Sequence, residues 1–148
     1  MRRRPAFTVI ELLTVLVIMG IVAAFALPKM GNVTDRAQLR SAKDGIASRL
    51  AAARAAAIAS GRTSTFYVAG DSMRVTMTTN GAEVQKGAPV NLYRNFKVKV
   101  LSGDVSFVFD GRGMTKGAAA RIKFQRNSLV DSICVSAIGL INRHGCAQ

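Results

Sequence analysis

The sequence predicts an α+β protein: a long amino-terminal helix, apolar in its first half and amphipathic in its second, followed by an antiparallel β-sheet domain. Three observations predict it. The stretch from Phe7 to Leu27 is almost wholly apolar and, at roughly 20 residues, about long enough to cross the hydrocarbon core of a bilayer as a helix. Beyond it, apolar side chains recur at steps of three and four as far as Ala57, the period of one helix face. After Gly61 the period falls to two, and turn residues punctuate the chain.

Arg2, Arg3 and Arg4 precede the apolar run and Pro28 closes it. Basic residues ahead of such a run favour a cytoplasmic amino terminus with the remainder exported. The run is longer than the apolar region of a removed secretory signal, about 7–15 residues, and Ala24-Phe25-Ala26 is a weak cleavage site, so it reads as a retained single-pass segment. Glu11 stands one turn inside it. A charged side chain at bilayer depth costs roughly 2.5–3.5 kcal/mol, so Glu11 either snorkels to the interface or has a partner.

The helix is expected to resume after Pro28, capped by Thr34 or Asp35, with Leu39, Ala42, Ile46, Leu50, Ala53 and Ala57 on one stripe. Arg36, Arg40, Asp44, Ser48 and Arg54 lie largely off it. That stripe is narrow and rich in alanine, so another element must pack closely on it. Ser60-Gly61 ends the helix. Thr63–Ala69 and Met73–Thr79 read as strands, with Asn80-Gly81 as the next turn. Phe96, Val98 and Val100 alternate with Lys97 and Lys99. Val105, Phe107 and Phe109 form another strand, stopped by Asp110-Gly111-Arg112-Gly113. Ile122 and Phe124 alternate with Arg121, Lys123 and Gln125. Ile133–Ile138 is the last clear strand and Leu140–Arg143 its possible partner. The sheet's apolar face is expected to cover the helix.

The formal charge is +13, and residues 29–148 carry 18 Lys/Arg against 7 Asp/Glu. Such a surplus suits anionic partners: nucleic acid, lipid head groups or an acidic protein surface. An ordinary charged surface accounts for it equally well. Lys97, Lys99, Arg121 and Lys123 point outward on two predicted strands, with Lys116, Arg126 and Arg143 expected to lie near them, and such a face can neutralise phosphates. Outward positions on half-buried strands are also commonly charged, and no aromatic row accompanies these. The two cysteines, Cys134 and Cys146, each lie six residues from Leu140. A chain reversal there brings them together as a disulfide if the domain is exported; two unpaired thiols are the alternative.

Catalysis finds little support. His144 is the only histidine, and Asp71, Glu83, Asp104, Asp110 and Asp131 sit beside turn residues, where carboxylates cap turns. No nucleophile elbow, phosphate loop or metal-spaced set occurs, so the sequence predicts no enzyme, no cofactor and no metal.

The leader, the small Ala6 and Phe7-Thr-Val-Ile-Glu11-Leu-Leu-Thr-Val-Leu16 together resemble the processing signal of type IV pilins and type II secretion pseudopilins. The resemblance implies cleavage by a prepilin peptidase between Ala6 and Phe7 and N-methylation of Phe7. It further implies Glu11 as the residue that neutralises a neighbouring subunit's amine, and a helix kink at Pro28. That family usually has Gly where Ala6 stands. Three further stretches resemble minor subunits of the GspH/FimT type: Leu50-Ala-Ala-Ala-Arg54-Ala-Ala-Ala-Ile-Ala-Ser-Gly61-Arg62, Phe107-Val-Phe-Asp-Gly-Arg-Gly113, and Ile133-Cys-Val-Ser-Ala-Ile-Gly139. DNA-binding members carry Gly-Arg-x-Arg near the end; here Gly139-Leu-Ile-Asn-Arg143 lacks the first arginine.

The implied organisation is a leader over 1–6, a transmembrane and assembly helix over 7–28, and a periplasmic pilin-like domain over 29–148. The implied location is the inner membrane, then a filament after assembly. Implied partners are other pilin or pseudopilin subunits, the peptidase and the bilayer, with a secreted substrate or DNA as further candidates. The implied function is a minor subunit in pseudopilus or pilus assembly and protein secretion, with DNA uptake in natural transformation as the alternative.

Overall fold

The computed structural model describes residues 8–143, and of residues 25–30 and 32 it describes the backbone only. Two compact units make up the chain, Met1–Thr34 and Asp35–Gln148.

The first unit holds the start of helix α1 (Val9–Ser60). Thr8 begins it: its Oγ1 accepts from the Glu11 N–H at 3.3 Å and its carbonyl from the same N–H at 3.1 Å. A threonine followed three residues later by glutamate is the pattern that satisfies the free N–H groups of a helix start. The helical backbone continues through Pro28, so no second start occurs at Thr34 or Asp35, contrary to the sequence expectation. The side chain of Pro28 lies outside the described set. Among the described residues no helix is long and apolar enough to cross a membrane; Phe25–Leu27, the last residues of the predicted run, fall among the side chains not described.

In the second unit the predicted stripe is the core face of α1. Leu39, Ala42, Ile46, Leu50, Ala53 and Ala57 are all buried, joined by Ala47. Two sheets receive this face instead of the one expected. The first has order β3-β2-β1-β5, from β1 (Ser64–Ala69), β2 (Ser72–Thr79), β3 (Ala82–Asn91) and β5 (Val105–Phe109). The second has order β4-β6-β7-β8, from β4 (Lys99–Val100), β6 (Ala120–Arg126), β7 (Leu129–Val135) and β8 (Ile141–Asn142). All pairings are antiparallel. Cross-strand partners Val75↔Phe66↔Phe107 and Phe124, Ile122 and Ile133 present the inward faces, which merge with the helix stripe in one core.

Local chemistry explains three departures from the predicted strands. Residues 92–96 form a short helix, α2 (Leu92–Phe96), because the Asn91 side chain caps it by accepting from the Arg94 N–H at 2.7 Å. Lys97 then turns left-handed at φ 55°, so only Lys99 and Val100 remain extended. β3 was not legible as a strand: it is an edge, nearly all exposed, and contains Gly87 and Pro89 in place of apolar alternation. β7 begins earlier than expected and stops at Val135, where Ser136 and Gly139 close a turn through a 2.9 Å backbone bond.

Candidate functional site

Three surfaces hold the residues that the sequence singles out. The first is the start of α1. Every large apolar side chain from Val9 to Val22 is at least 50% exposed. Glu11 sits in the first turn, where the helix dipole favours a negative charge, and it has no ion-pair partner among the described residues. The expected cleavage and methylation positions, Ala6 and Phe7, lie outside the described residues. The capping role of Thr8, whose hydroxyl accepts from the Glu11 N–H, was missed from sequence, although Thr8-x-x-Glu11 carried the signal.

The second surface lies at the far end of the helix, where the three family-like stretches converge. Arg54 Nε donates to the Gly113 carbonyl at 2.9 Å. Gly111 lies against the Gly61 backbone, so that a Cβ there would come within 2.7 Å of the Gly61 carbonyl carbon. Gly139, at φ 77°, packs on the Gly113 carbonyl and leaves no room for a side chain. Asp110 organises the same corner: its Oδ1 accepts from the N–H groups of Met114 at 2.9 Å and Arg112 at 3.0 Å. Those bonds, the one from Met114 foremost, hold its carboxyl below the usual carboxylate range. Arg54, placed off the core stripe by periodicity, is thus a half-buried joint between helix and sheets.

The third surface is basic, and the structure sorts its six predicted residues. Arg126 is not an outward contact: its Nε meets Asp35 Oδ1 at 2.7 Å and its Nη1 donates to the Phe96 carbonyl at 2.8 Å. Asn127 donates to Asp35 Oδ2 at 2.6 Å. Asp35, expected as a helix cap, instead tethers α1 to the β6–β7 turn. The hydrogen bond from Arg126, and then that from Asn127, lowers its pKa. Arg143 Nη1 pairs with Asp44 Oδ1 at 2.9 Å, with both side chains more than half exposed. Arg121 and Lys123 are exposed on β6. Lys99 pairs across the ladder with Gln125, which puts it on that same face. Lys97 and Lys99 hold their ammonium groups 5.5 and 6.0 Å from the ring centroid of Tyr93, an aromatic not singled out from sequence. Tyr93, Lys97, Lys99, Gln125, Arg126 and Asn127 line a cavity of ≈ 600 Å³.

Cys134 is buried and carries no free thiol, while Cys146 lies outside the described residues. Among the described residues no three of His, Cys, Asp and Glu gather closely enough to hold a metal ion.

Residues 1–27 match the family model described as the prokaryotic N-terminal methylation motif. No curated protein matches the chain. Among solved structures the fold is similar to that of the type IV minor pilin FimU of Pseudomonas aeruginosa strain PAO1. The TM-score is 0.61 at 17% identity, over 76% of this chain and 92% of that one. An N-terminal methylation motif is therefore joined here to an α+β domain with the fold of a type IV minor pilin.

Proposed function

We propose that this chain is a minor subunit of a pilin-type filament, acting in assembly and contact and not in catalysis. The observation that carries the proposal is the pairing of a methylation motif over residues 1–27 with a pilin-fold domain, on a helix whose first half leaves its apolar side chains uncovered. A prepilin peptidase cuts between Ala6 and Phe7 and the new amine is methylated. The apolar run rests in the inner membrane before assembly, with the domain outside the cytoplasm, and packs among neighbouring helices afterward. Glu11 neutralises the amine of a neighbour, which offsets the cost of desolvating both charges. A Cys134–Cys146 disulfide fastens the chain end. Other pilin or pseudopilin subunits are the partners, in a secretion pseudopilus or a type IV pilus, with a secreted protein as further contact.

Mass spectrometry of the mature protein tests this. A chain starting at methylated Phe7 is expected, and an intact Met1 overturns it. Glu11→Ala is expected to leave membrane insertion unchanged while removing the subunit from filaments. The alternative, capture of DNA for uptake, is favoured by the exposed Arg121 and Lys123 on β6. It requires duplex binding that falls steeply with salt and disappears when both are neutralised.

A further inference from the structure

We infer that Tyr93, Lys97 and Lys99 form a docking site for the phosphates of anionic lipid head groups, used while the subunit waits in the membrane; this rests on the membrane-anchor reading above.

The cluster's place in the fold carries the argument. Asp35 is the first residue of the globular unit, and Arg126 holds it at 2.7 Å while donating to the Phe96 carbonyl at 2.8 Å. Lys97 follows Phe96 directly. The cluster therefore sits at the end of the domain where the chain arrives from the apolar run. Seven residues lie between Leu27 and Asp35, so the chain keeps the first residue of the globular unit within about 26–29 Å of the apolar run even when fully extended. The head-group layer outside the hydrocarbon core is roughly 5–7 Å thick on each side.

The chemistry fits a phosphate surface. Lys97 and Lys99 have no ion-pair partner among the described residues, and the Tyr93 ring gathers both ammonium groups at its face. The nearest carboxylate in this network, Asp35, is already occupied by Arg126 and Asn127. Lys97 is also a lysine held at φ 55°, where glycine or asparagine is usual, so the fold keeps a cation at a position that works against it. Tyrosine and lysine side by side, one ring 46% exposed and its cations free to extend, are the residue types that settle at a membrane interface. Duplex DNA would call on Arg121 and Lys123, which share the β6 face with Lys99, but Arg126 and Arg143, which would have lengthened that row, are held by Asp35 and Asp44.

The chain contains no tryptophan, so Tyr93→Trp supplies a single reporter at the site. The full chain carrying it is reconstituted in phosphatidylcholine vesicles with and without phosphatidylglycerol, each containing a head-group quencher. Flotation with both kinds of vesicle, and quenching only in the anionic ones, is the result expected. Lys97→Asn with Lys99→Gln, which keeps a left-handed-tolerant residue at 97, is expected to weaken docking roughly 30-fold. Flotation with equal quenching in both vesicle types, or quenching indifferent to the two substitutions, overturns the inference and leaves the anchor standing. Failure to float overturns the anchor reading and this inference with it. Loss of quenching on adding inorganic phosphate at constant ionic strength assigns the site to a free anion. Loss on adding stoichiometric duplex DNA assigns it to nucleic acid. Either result overturns the lipid assignment.

Discussion

From Val9 to Val22 every large apolar side chain of α1 is at least 50% exposed, whereas from Leu39 to Ala57 the buried stripe of the same helix is at most 7% exposed. Both stretches are helical, and their apolar residues recur densely enough to make a continuous face. What differs is the cover. The second stretch alternates alanine with Leu and Ile, so two sheets approach closely and fill the space with Phe66, Phe109 and Phe124. The first is wide, branched and apolar around most of its circumference, more than a single sheet can cover, and its large side chains are left exposed. Each large side chain left in water forgoes about 1.5–3 kcal/mol, so the exposed run is a strong demand for a bilayer or for neighbouring helices.

The sharpest way to break that contrast is a matched pair of truncations in the detergent-solubilised chain. Ile46→Ala empties a fully buried position and is expected to lower the unfolding free energy by about 2–5 kcal/mol in urea titrations. Leu13→Ala shortens a side chain that is 54% exposed and is expected to shift it by less than about 0.5 kcal/mol. Equal losses from the two would mean that the exposed run is covered by the chain itself.

Next in size is Gly139→Ala, which forces a Cβ against the Gly113 carbonyl from a left-handed backbone. Roughly 2–3 kcal/mol of stability is expected to go, read by the same titration. Gly117→Ala, with open space around it, is the comparison and is expected to be close to neutral.

These two cases show how much was legible beforehand. The core stripe was readable because burial imposes a 3.6-residue period on one helix face, and the strands at Val105–Phe109 and Ala120–Arg126 because it imposes a period of two on a sheet. β3 escaped because an exposed edge strand carries no such period. α2 escaped because a single capping side chain, Asn91, outweighed the alternation of Phe96, Val98 and Val100. At the sites, sequence supplied types and not partners. Arg126 looked like Lys123, since it is a cation just beyond the same predicted strand. Arg126 ends β6, just before the turn whose Asn127 also meets Asp35, and its own partner lies 91 residues away, a separation that no local pattern encodes. Tyr93 was passed over for the same reason: its meaning comes from the two lysines folded onto it.

A smaller effect depends on pH. The bond from Arg126 holds the Asp35 carboxyl below its usual value. Stability from this group is therefore fully present above the unfolded carboxylate pKa of about 3.9, and is lost as pH falls through the depressed folded value. Asp35→Asn is expected to be less stable than the parent at pH 7, with the difference closing progressively below about pH 4. A difference unchanged at pH 3 would show that shape, and not charge, holds the β6–β7 turn to α1.

The smallest effect expected is at Arg143, and it tests whether an ion pair's place matters more than its length. Its 2.9 Å contact with Asp44 is nearly as short as that of Arg126 with Asp35, but its side chain is 53% exposed and that of Asp44 64%. Water and salt screen such a pair, and ordering two long side chains offsets most of the attraction. Arg143→Gln is therefore expected to cost no more than about 0.5 kcal/mol, and less still at high ionic strength. Arg126→Gln, by contrast, strips Asp35 of its cation and Phe96 of a donor together, and is expected to lower the urea midpoint visibly at any salt concentration. Were Arg143→Gln the more damaging of the two, β8 would have to be held by its ion pair, not by its ladder to Cys134 and Val135.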